Sequence, residues 1–148
     1  MKRLYPDQPI VGIGVIIVKE CKIVLIKRGN EPARGKWTIP GGLVELGETL
    51  ETAVVREAKE ETCLVVINPQ FIGVVDQIDR DIDGKVKYHY VILDYLVRVV
   101  GGSIGAASDA AELCWVPLEE VETYDLTASF RRFFKLNKAE LAKANSYP

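Results

Sequence analysis

The sequence predicts an α/β (α+β) fold in which a mixed β-sheet lies between helices. Runs rich in Val and Ile, typical of strands, occur on both sides of an internal segment with helical character. A second helical segment closes the chain, and this order of elements is typical of a sheet covered by helices. Since 148 residues suffice for one well-buried core, we expect a single domain over residues 1–148.

The first half of the predicted sheet is a hairpin followed by a short strand. Residues 11–18 and 23–27 are strand-like, and a polar turn joins them. A loop rich in Gly, Pro and basic residues covers 28–36. A short strand at 37–39 should then stop at Pro40-Gly41-Gly42.

A helix should follow at 49–62, with Glu48 beside its positively polarised N-terminus. We expect one strand or two over residues 65–78, because Pro69 should break this apolar run. An Asp-Gly turn at 81–84 leads to a long apolar strand at 88–100, and 101–111 is a loop of small residues. That long strand could pair across a homodimer.

The chain should end with a short strand, a helical turn and a helix. We expect the strand at 113–116 and the turn at 118–121. Thr127 could cap a helix through about 143, in which Phe130, Phe134 and Leu141 share one side.

Composition restricts the class of protein. A net charge of −2 gives no general nucleic-acid-binding surface, so an anionic ligand would need local basic groups or metal ions. The apolar runs are too short for a membrane span, and residues 1–7 hold no apolar signal stretch. Cys21, Cys63 and Cys114 are widely spaced and form no C-x-x-C pair. We therefore expect a cytoplasmic protein with reduced thiols and with neither nucleic acid nor membrane as partner.

The most informative residues are three carboxylates in the internal helix. Glu57, Glu60 and Glu61 stand at i, i+3 and i+4, and so share one face. On an exposed helix each like-charged pair costs about 0.2–0.5 kcal/mol, which either solvent or a bound cation must offset. A solvated surface is the commonest explanation of a Glu-rich helix.

Three features favour the cation. The acidic stripe continues the apolar stripe of Leu50, Ala53 and Val54, and Lys59 points to another side. Pro40-Gly41-Gly42 precedes the helix, where backbone carbonyls can approach a ligand without obstruction. Carboxylate and carbonyl oxygens are the ligands that Mg²⁺ or Mn²⁺ prefers.

The spacing around these carboxylates resembles a known motif. Gly42, Glu48 and Arg56-Glu57-Ala58-Lys59-Glu60-Glu61 match the Nudix box, G-x5-E-x7-R-E-U-x-E-E-x-G-U, where U is aliphatic. The approach to the box at 35–42 is also similar to that family. One position departs from the motif, because Cys63 stands where the family usually has a glycine, and the resemblance implies that this glycine is the left-handed residue after the helix.

The resemblance implies a Nudix-type α/β/α sandwich that hydrolyses a phosphoanhydride bond in a nucleoside diphosphate derivative, with Mg²⁺ or Mn²⁺ as cofactor. It makes Glu57, Glu60 and Glu61 metal ligands and catalytic residues, with the Gly41 carbonyl as a further ligand. Glu48 and Arg56 resemble a supporting pair that braces the loop against the helix. A later acidic residue often completes such sites, and Glu112 is our candidate, although an ordinary exposed glutamate is an equal alternative.

The substrate should be a small nucleotide. Arg28, Arg34 and Lys36 in the loop before the box are candidates to hold it, although any one of them could be a solvated loop charge. Residues 28–32 and Ser108-Asp109-Ala110 resemble small ADP-ribose pyrophosphatases. A nucleoside triphosphate pyrophosphohydrolase, a Nudix-fold nucleotide sensor without turnover and a structural protein with an acidic helix remain the alternatives.

Overall fold

The computed structural model describes residues 2–104 and 112–144. The elements in chain order are β1 (Ile10–Lys19), β2 (Lys22–Lys27), β3 (Trp37–Thr38), β4 (Gly41–Leu43), α1 (Leu50–Thr62), β5 (Val65–Arg80), β6 (Val86–Gly101), β7 (Leu113–Pro117), a 3₁₀ helix (Leu118–Thr123) and α2 (Ala128–Ala144). No helix in these two ranges is long and apolar enough to cross a membrane.

β1 organises a mixed sheet, as the sequence predicts. Its first part pairs parallel with β6 and antiparallel with β4, and its end pairs antiparallel with β2. The strand order is β3-β2-β1-β6-β5, with β7 added on β2. β1 therefore joins β2, β3 and β7 on one side to β6 and β5 on the other, and β4 pairs with the first part of β1.

The two helices cover opposite faces of this sheet, which confirms the predicted sandwich. On one face Ala53 and Val54 of α1 pack in a core that includes Val15. On the other face Phe134 of α2 packs in a core that includes Ile16. Consecutive residues of a strand point to opposite faces, so β1 supplies both cores.

Both predicted ends of α1 are confirmed. The Thr49 hydroxyl accepts a hydrogen bond from the Thr52 amide at 3.2 Å and so caps the helix N-terminus. Cys63 ends the helix in the left-handed conformation, with φ 64° and ψ 10°, and its amide donates to the Lys59 carbonyl. Cys63 thus adopts the backbone conformation for which the family motif supplies a glycine.

The structure adds one strand to those predicted and corrects another prediction. β3 ends before Pro40, as predicted, but Gly41–Leu43 then forms β4 against β1, a strand that was not predicted. Pro69 does not divide the next segment, because Val65–Arg80 is one strand. The register shifts between Ile67 and Gln70, so that the proline falls in a bulge where its missing N–H costs no ladder hydrogen bond.

The central part of the long strand β6 has no free edge for pairing with a second copy of the chain. Residues 90–97 pair with β1 along one edge, and β5 pairs along the other edge over nearly the whole strand. Because both edges of this stretch are used within the chain, a second copy has no edge to pair with there, and the prediction of a homodimer stays untested.

Candidate active site

A cleft of about 520 Å³ runs from α1 past β4 to α2. Small-molecule sites in proteins commonly have such volumes. Its lining combines acidic residues of α1, glycines of β1 and β4, the start of the loop after β2, and apolar residues of β5, β6 and α2. The residues that matter below are Glu57, Glu61, Gly14, Gly41, Gly42, Arg28, Tyr90, Ile92, Asp94, Phe130 and Phe133.

Glu57 lies at the bottom of the α1 end, where only 8% of its surface is exposed. Gly42 makes this position available, because a Cβ at Gly42 would collide with the Glu57 carboxylate. The glycine of the motif is therefore required by the close approach of β4 to α1, and its substitution should displace Glu57.

Arg56 ties the loop before α1 to the helix. Its Nε and Nη2 donate to the two Glu48 carboxylate oxygens at 2.7 and 2.9 Å, and Nη2 also donates to the Leu43 carbonyl at 3.0 Å. Its Nη1 donates to Glu57 Oε1 at 2.7 Å and to Glu60 Oε2 at 3.1 Å. The hydrogen bond from Arg56 lowers the pKa of Glu48 to about 2, so this pair is charged at neutral pH.

The carboxylates that face the cleft are incompletely neutralised. Burial is the main cause that raises the pKa of Glu61, the charge of Glu57 raises it further, and Arg28 opposes both. Burial also raises the pKa of Glu57, against the lowering effect of Arg56. A bound cation would offset both the burial of these two negative charges and their mutual repulsion.

The Gly41 carbonyl points away from β1, on the free edge of β4. Val15 N donates to Pro40 O and Val44 N donates to Val11 O, so the alternation of an antiparallel ladder turns the carbonyls of Gly41 and Leu43 away from β1. The Leu43 carbonyl meets Arg56 of α1, as that alternation requires. The Gly41 carbonyl lies two residues earlier on the same edge, in the cleft wall.

These groups fit a divalent cation that keeps part of its water shell. Over residues 2–104 and 112–144, no three His, Cys, Asp or Glu side chains converge into a closed metal site. Mg²⁺ commonly takes only one or two carboxylates, with waters and substrate phosphates filling its other positions. Glu57, Glu61 and the Gly41 carbonyl provide such an open donor set.

Other predicted site residues lie elsewhere. Glu60 is exposed, contacts Arg56 and is not part of the cleft wall. Glu112 is also exposed and outside the described wall, and its backbone carbonyl accepts a hydrogen bond from Lys27 N. Ser108-Asp109-Ala110, used for the substrate prediction, lie outside the described residues.

Of the three predicted substrate-binding cations, Arg28 alone is in the described cleft wall. Its Nε donates to the Pro32 carbonyl at 2.6 Å, which orients the guanidinium. Arg34 is exposed outside the cleft, and Lys36 forms an ion pair with Asp125 at 2.8 Å. Sequence proximity to the motif thus did not determine which basic residues face the cleft.

Four charged residues of the wall were not predicted as site residues: Arg3, Lys27, Glu31 and Asp94. For the two cations the sequence holds no distinguishing signal. Asp94 could have been found, because a lone acid inside the apolar run 88–100 is costly to bury unless it has a role.

Comparison with known proteins identifies the family. The sequence model of the NUDIX domain matches residues 8–136. An ADP-ribose pyrophosphatase of Methanocaldococcus jannaschii is 46% identical over 110 residues, covering 74% of this chain and 62% of that protein. The chain thus spans under two thirds of this relative's length. A putative 8-oxo-dGTP diphosphatase 2 of Mycobacterium tuberculosis is 34% identical over 116 residues, 78% of each chain.

The fold agrees with these sequence relationships. The crystal structure of a MutT NUDIX hydrolase from Burkholderia pseudomallei superposes with a TM-score of 0.72 at 35% identity, over 87% of this chain and 98% of that one. The matched residues include α1, β4 and all of the cleft residues on them. The chain belongs to the NUDIX domain family.

Proposed function

We propose that the protein is a divalent-metal-dependent hydrolase that cleaves a phosphoanhydride bond in a nucleoside diphosphate derivative. The observation that carries this proposal is the joint position of Glu57, Glu61 and the Gly41 carbonyl in one cleft wall beside Arg28. Oxygen donors on one side and a guanidinium on the other suit a metal-bound polyphosphate. Membership of a family of hydrolases supports the same reading.

Glu57, Glu61 and the Gly41 carbonyl would hold Mg²⁺ or Mn²⁺, with Glu60 an outer candidate that is joined to the site through Arg56. The metal supplies charge neutralisation at the phosphates and a bound water of lowered pKa. One of the α1 glutamates would accept the proton of the attacking water. Glu112 remains a further candidate for completing the site.

The chain's other residues position these groups. The Glu48–Arg56 pair holds the β4–α1 loop and the Glu57 carboxylate in one orientation. Arg28 would hold a substrate phosphate, and Lys27 and Arg3 add positive charge to the same cleft. Arg34 and Lys36 are weaker candidates, because they lie outside the described wall.

For the substrate we favour ADP-ribose or a related nucleotide sugar. This choice rests on the similarity to the Methanocaldococcus ADP-ribose pyrophosphatase. The second candidate is a nucleoside triphosphate, which the similarity to a putative 8-oxo-dGTP diphosphatase supports. A sensor without turnover is disfavoured, because every carboxylate of the motif is present.

Product identification tests the proposal. The protein is incubated with Mg²⁺ and, separately, with ADP-ribose, dinucleotides and nucleoside triphosphates. ADP-ribose should yield AMP and ribose 5-phosphate, whereas a triphosphate pyrophosphohydrolase would release pyrophosphate. Binding of a nucleotide without any turnover would overturn the hydrolase proposal in favour of a sensor.

A further inference from the structure

Asp94 occupies an unusual position in the middle of the sheet. Its register partners are Gly14 on β1 and Gly73 on β5, so neither neighbouring strand places a side chain beside it. A Cβ at Gly14 would collide with Asp94 Oδ1, and Phe133 lies 3.1 Å from the place of a Gly73 Cβ. The row of glycine, aspartate and glycine thus forms a recess with a carboxylate at its centre.

The Asp94 carboxylate is buried without a protein partner. Only 3% of the residue is exposed, and within the described part of the chain its side chain takes part in no hydrogen bond or ion pair. Its oxygens are nevertheless not sealed off, because no described side-chain nitrogen or oxygen is both fully buried and unsatisfied. Since Asp94 lines the cleft, these oxygens face the cleft interior. A buried carboxylate without a partner is costly, and a ligand that donates to it offsets that cost.

Asp94 and the α1 glutamates belong to different ends of the same cleft. Leu93 and Tyr95, its neighbours on β6, pack in the core below α1, so Asp94 points to the α2 face. Ile39, Phe130 and Phe133 belong to the core on that face. A molecule held at Glu57 and Glu61 would have to extend past β4 to reach Asp94.

We propose that Asp94 is a base-recognition residue, whose carboxylate accepts a hydrogen bond from an amino group of the substrate's nucleobase. The inference rests on the proposed function, because it assigns the second half of a nucleotide substrate to the α2 end of the cleft. For ADP-ribose the recognised donor is the exocyclic amino group of adenine.

The surroundings favour a base over a sugar at this end. Val75, Ile92, Phe130 and Phe133 supply apolar surface to the cleft, and Gln77, Tyr90, Thr127 and Ser129 supply polar groups to its lining. A flat aromatic base is suited to such walls and needs few polar contacts at its edge, whereas each hydroxyl of a ribose needs a partner. One buried carboxylate beside these apolar residues therefore matches a base that offers one amino group.

The test compares adenine with hypoxanthine, in which a carbonyl oxygen replaces the amino group. ADP-ribose and inosine diphosphate ribose are hydrolysed by the wild type and by Asp94→Asn. The wild type should favour the adenine substrate by about tenfold to a hundredfold in kcat/KM, the range expected for one charge-assisted hydrogen bond. In Asp94→Asn this preference should fall below about threefold, through a higher KM for ADP-ribose and little change in kcat.

A binding measurement without metal separates this inference from the proposed hydrolysis. The affinities for AMP and IMP are measured by calorimetry, and AMP should lose its advantage in Asp94→Asn. Asp76→Asn, an exposed aspartate on β5 outside the cleft wall, is the matched control and should keep the wild-type preference. If no nucleotide is hydrolysed, the AMP and IMP affinities still decide the role of Asp94. An unchanged base preference in Asp94→Asn would overturn the inference, and so would a loss of kcat that is equal for both substrates.

Discussion

Single residues show how closely the motif is fitted to its backbone. Gly42 is the clearest case, because its missing side chain leaves room for the carboxylate of Glu57. Cys63 is the opposite case, since a side chain occupies a left-handed position with φ 64°. The first residue makes room for a carboxylate of the site, whereas the second adds backbone strain at the end of the helix.

Gly42→Ala should disable the site while the chain still folds. The added methyl group must displace Glu57, so we expect kcat to fall by at least about tenfold. Steady-state hydrolysis of the substrate found in the screen measures this effect. Gly101→Ala is the matched control, because a Cβ there would meet only ordinary contacts at 3.7 Å or more. Full activity in Gly42→Ala would show that Glu57 needs no fixed position.

Cys63→Gly should stabilise the protein. The substitution removes the steric cost of a side chain at positive φ, and the greater freedom of glycine in the unfolded chain offsets part of the gain. We expect the free energy of unfolding to rise by up to about 1 kcal/mol, measured by urea denaturation. A loss of stability would mean that the packing of the thiol outweighs the backbone strain.

Individual elements differ in how well the sequence predicts them. The limits of α1 follow from Thr49, whose hydroxyl caps the helix, and from the motif position of Cys63. β4 was missed because Gly-Gly-Leu has low intrinsic strand preference, and only pairing with β1 makes it a strand. Pro69 was expected to break the strand, but it lies in a bulge of one continuous strand. The bulge arises from the pairing with β6, which the local sequence does not reveal.

Arg56→Lys tests the connection between β4, the loop and α1. Lysine cannot reproduce the forked contacts with Glu48 and the Leu43 carbonyl, so the loop and Glu57 should lose their fixed orientation. We expect kcat/KM to fall by about tenfold to a hundredfold and the unfolding free energy to fall by about 1 kcal/mol. Arg132→Lys, at an exposed position of α2, should change neither quantity. Equal kcat/KM in the Arg56 and Arg132 variants would refute the bracing role.

The whole molecule decides which residues meet, and here sequence reasoning is weakest. Lys36 is next to the motif in sequence, yet it pairs with Asp125, 89 residues away. Asp94 is distant in sequence, yet it lies in the cleft because β6 pairs with β1. The spacing of the α1 carboxylates could be predicted from helical geometry, whereas the other wall of the cleft depends on long-range pairing.

The buried carboxylate of Asp94 should make stability depend on pH. Burial raises its pKa from 3.8 to about 7, so the folded state binds this proton more tightly than the unfolded state. The contribution of Asp94 therefore falls as pH rises from about 4 to 7 and stays low above that range. Asp94→Asn should gain up to about 4 kcal/mol of unfolding free energy at pH 8 relative to its effect at pH 4. Denaturation at both pH values checks this, and an equal effect at both would contradict it.

The central claim is that the acidic face of α1 performs phosphoanhydride hydrolysis, and Glu61→Gln tests it most directly. Because burial and Glu57 raise the pKa of Glu61, a neutral Gln should not lower the melting temperature at pH 8. At saturating Mg²⁺, kcat should fall by at least about a hundredfold in Glu61→Gln. Glu51→Gln, on the same helix but exposed and outside the cleft wall, should keep wild-type kcat. Wild-type kcat in Glu61→Gln would contradict the account.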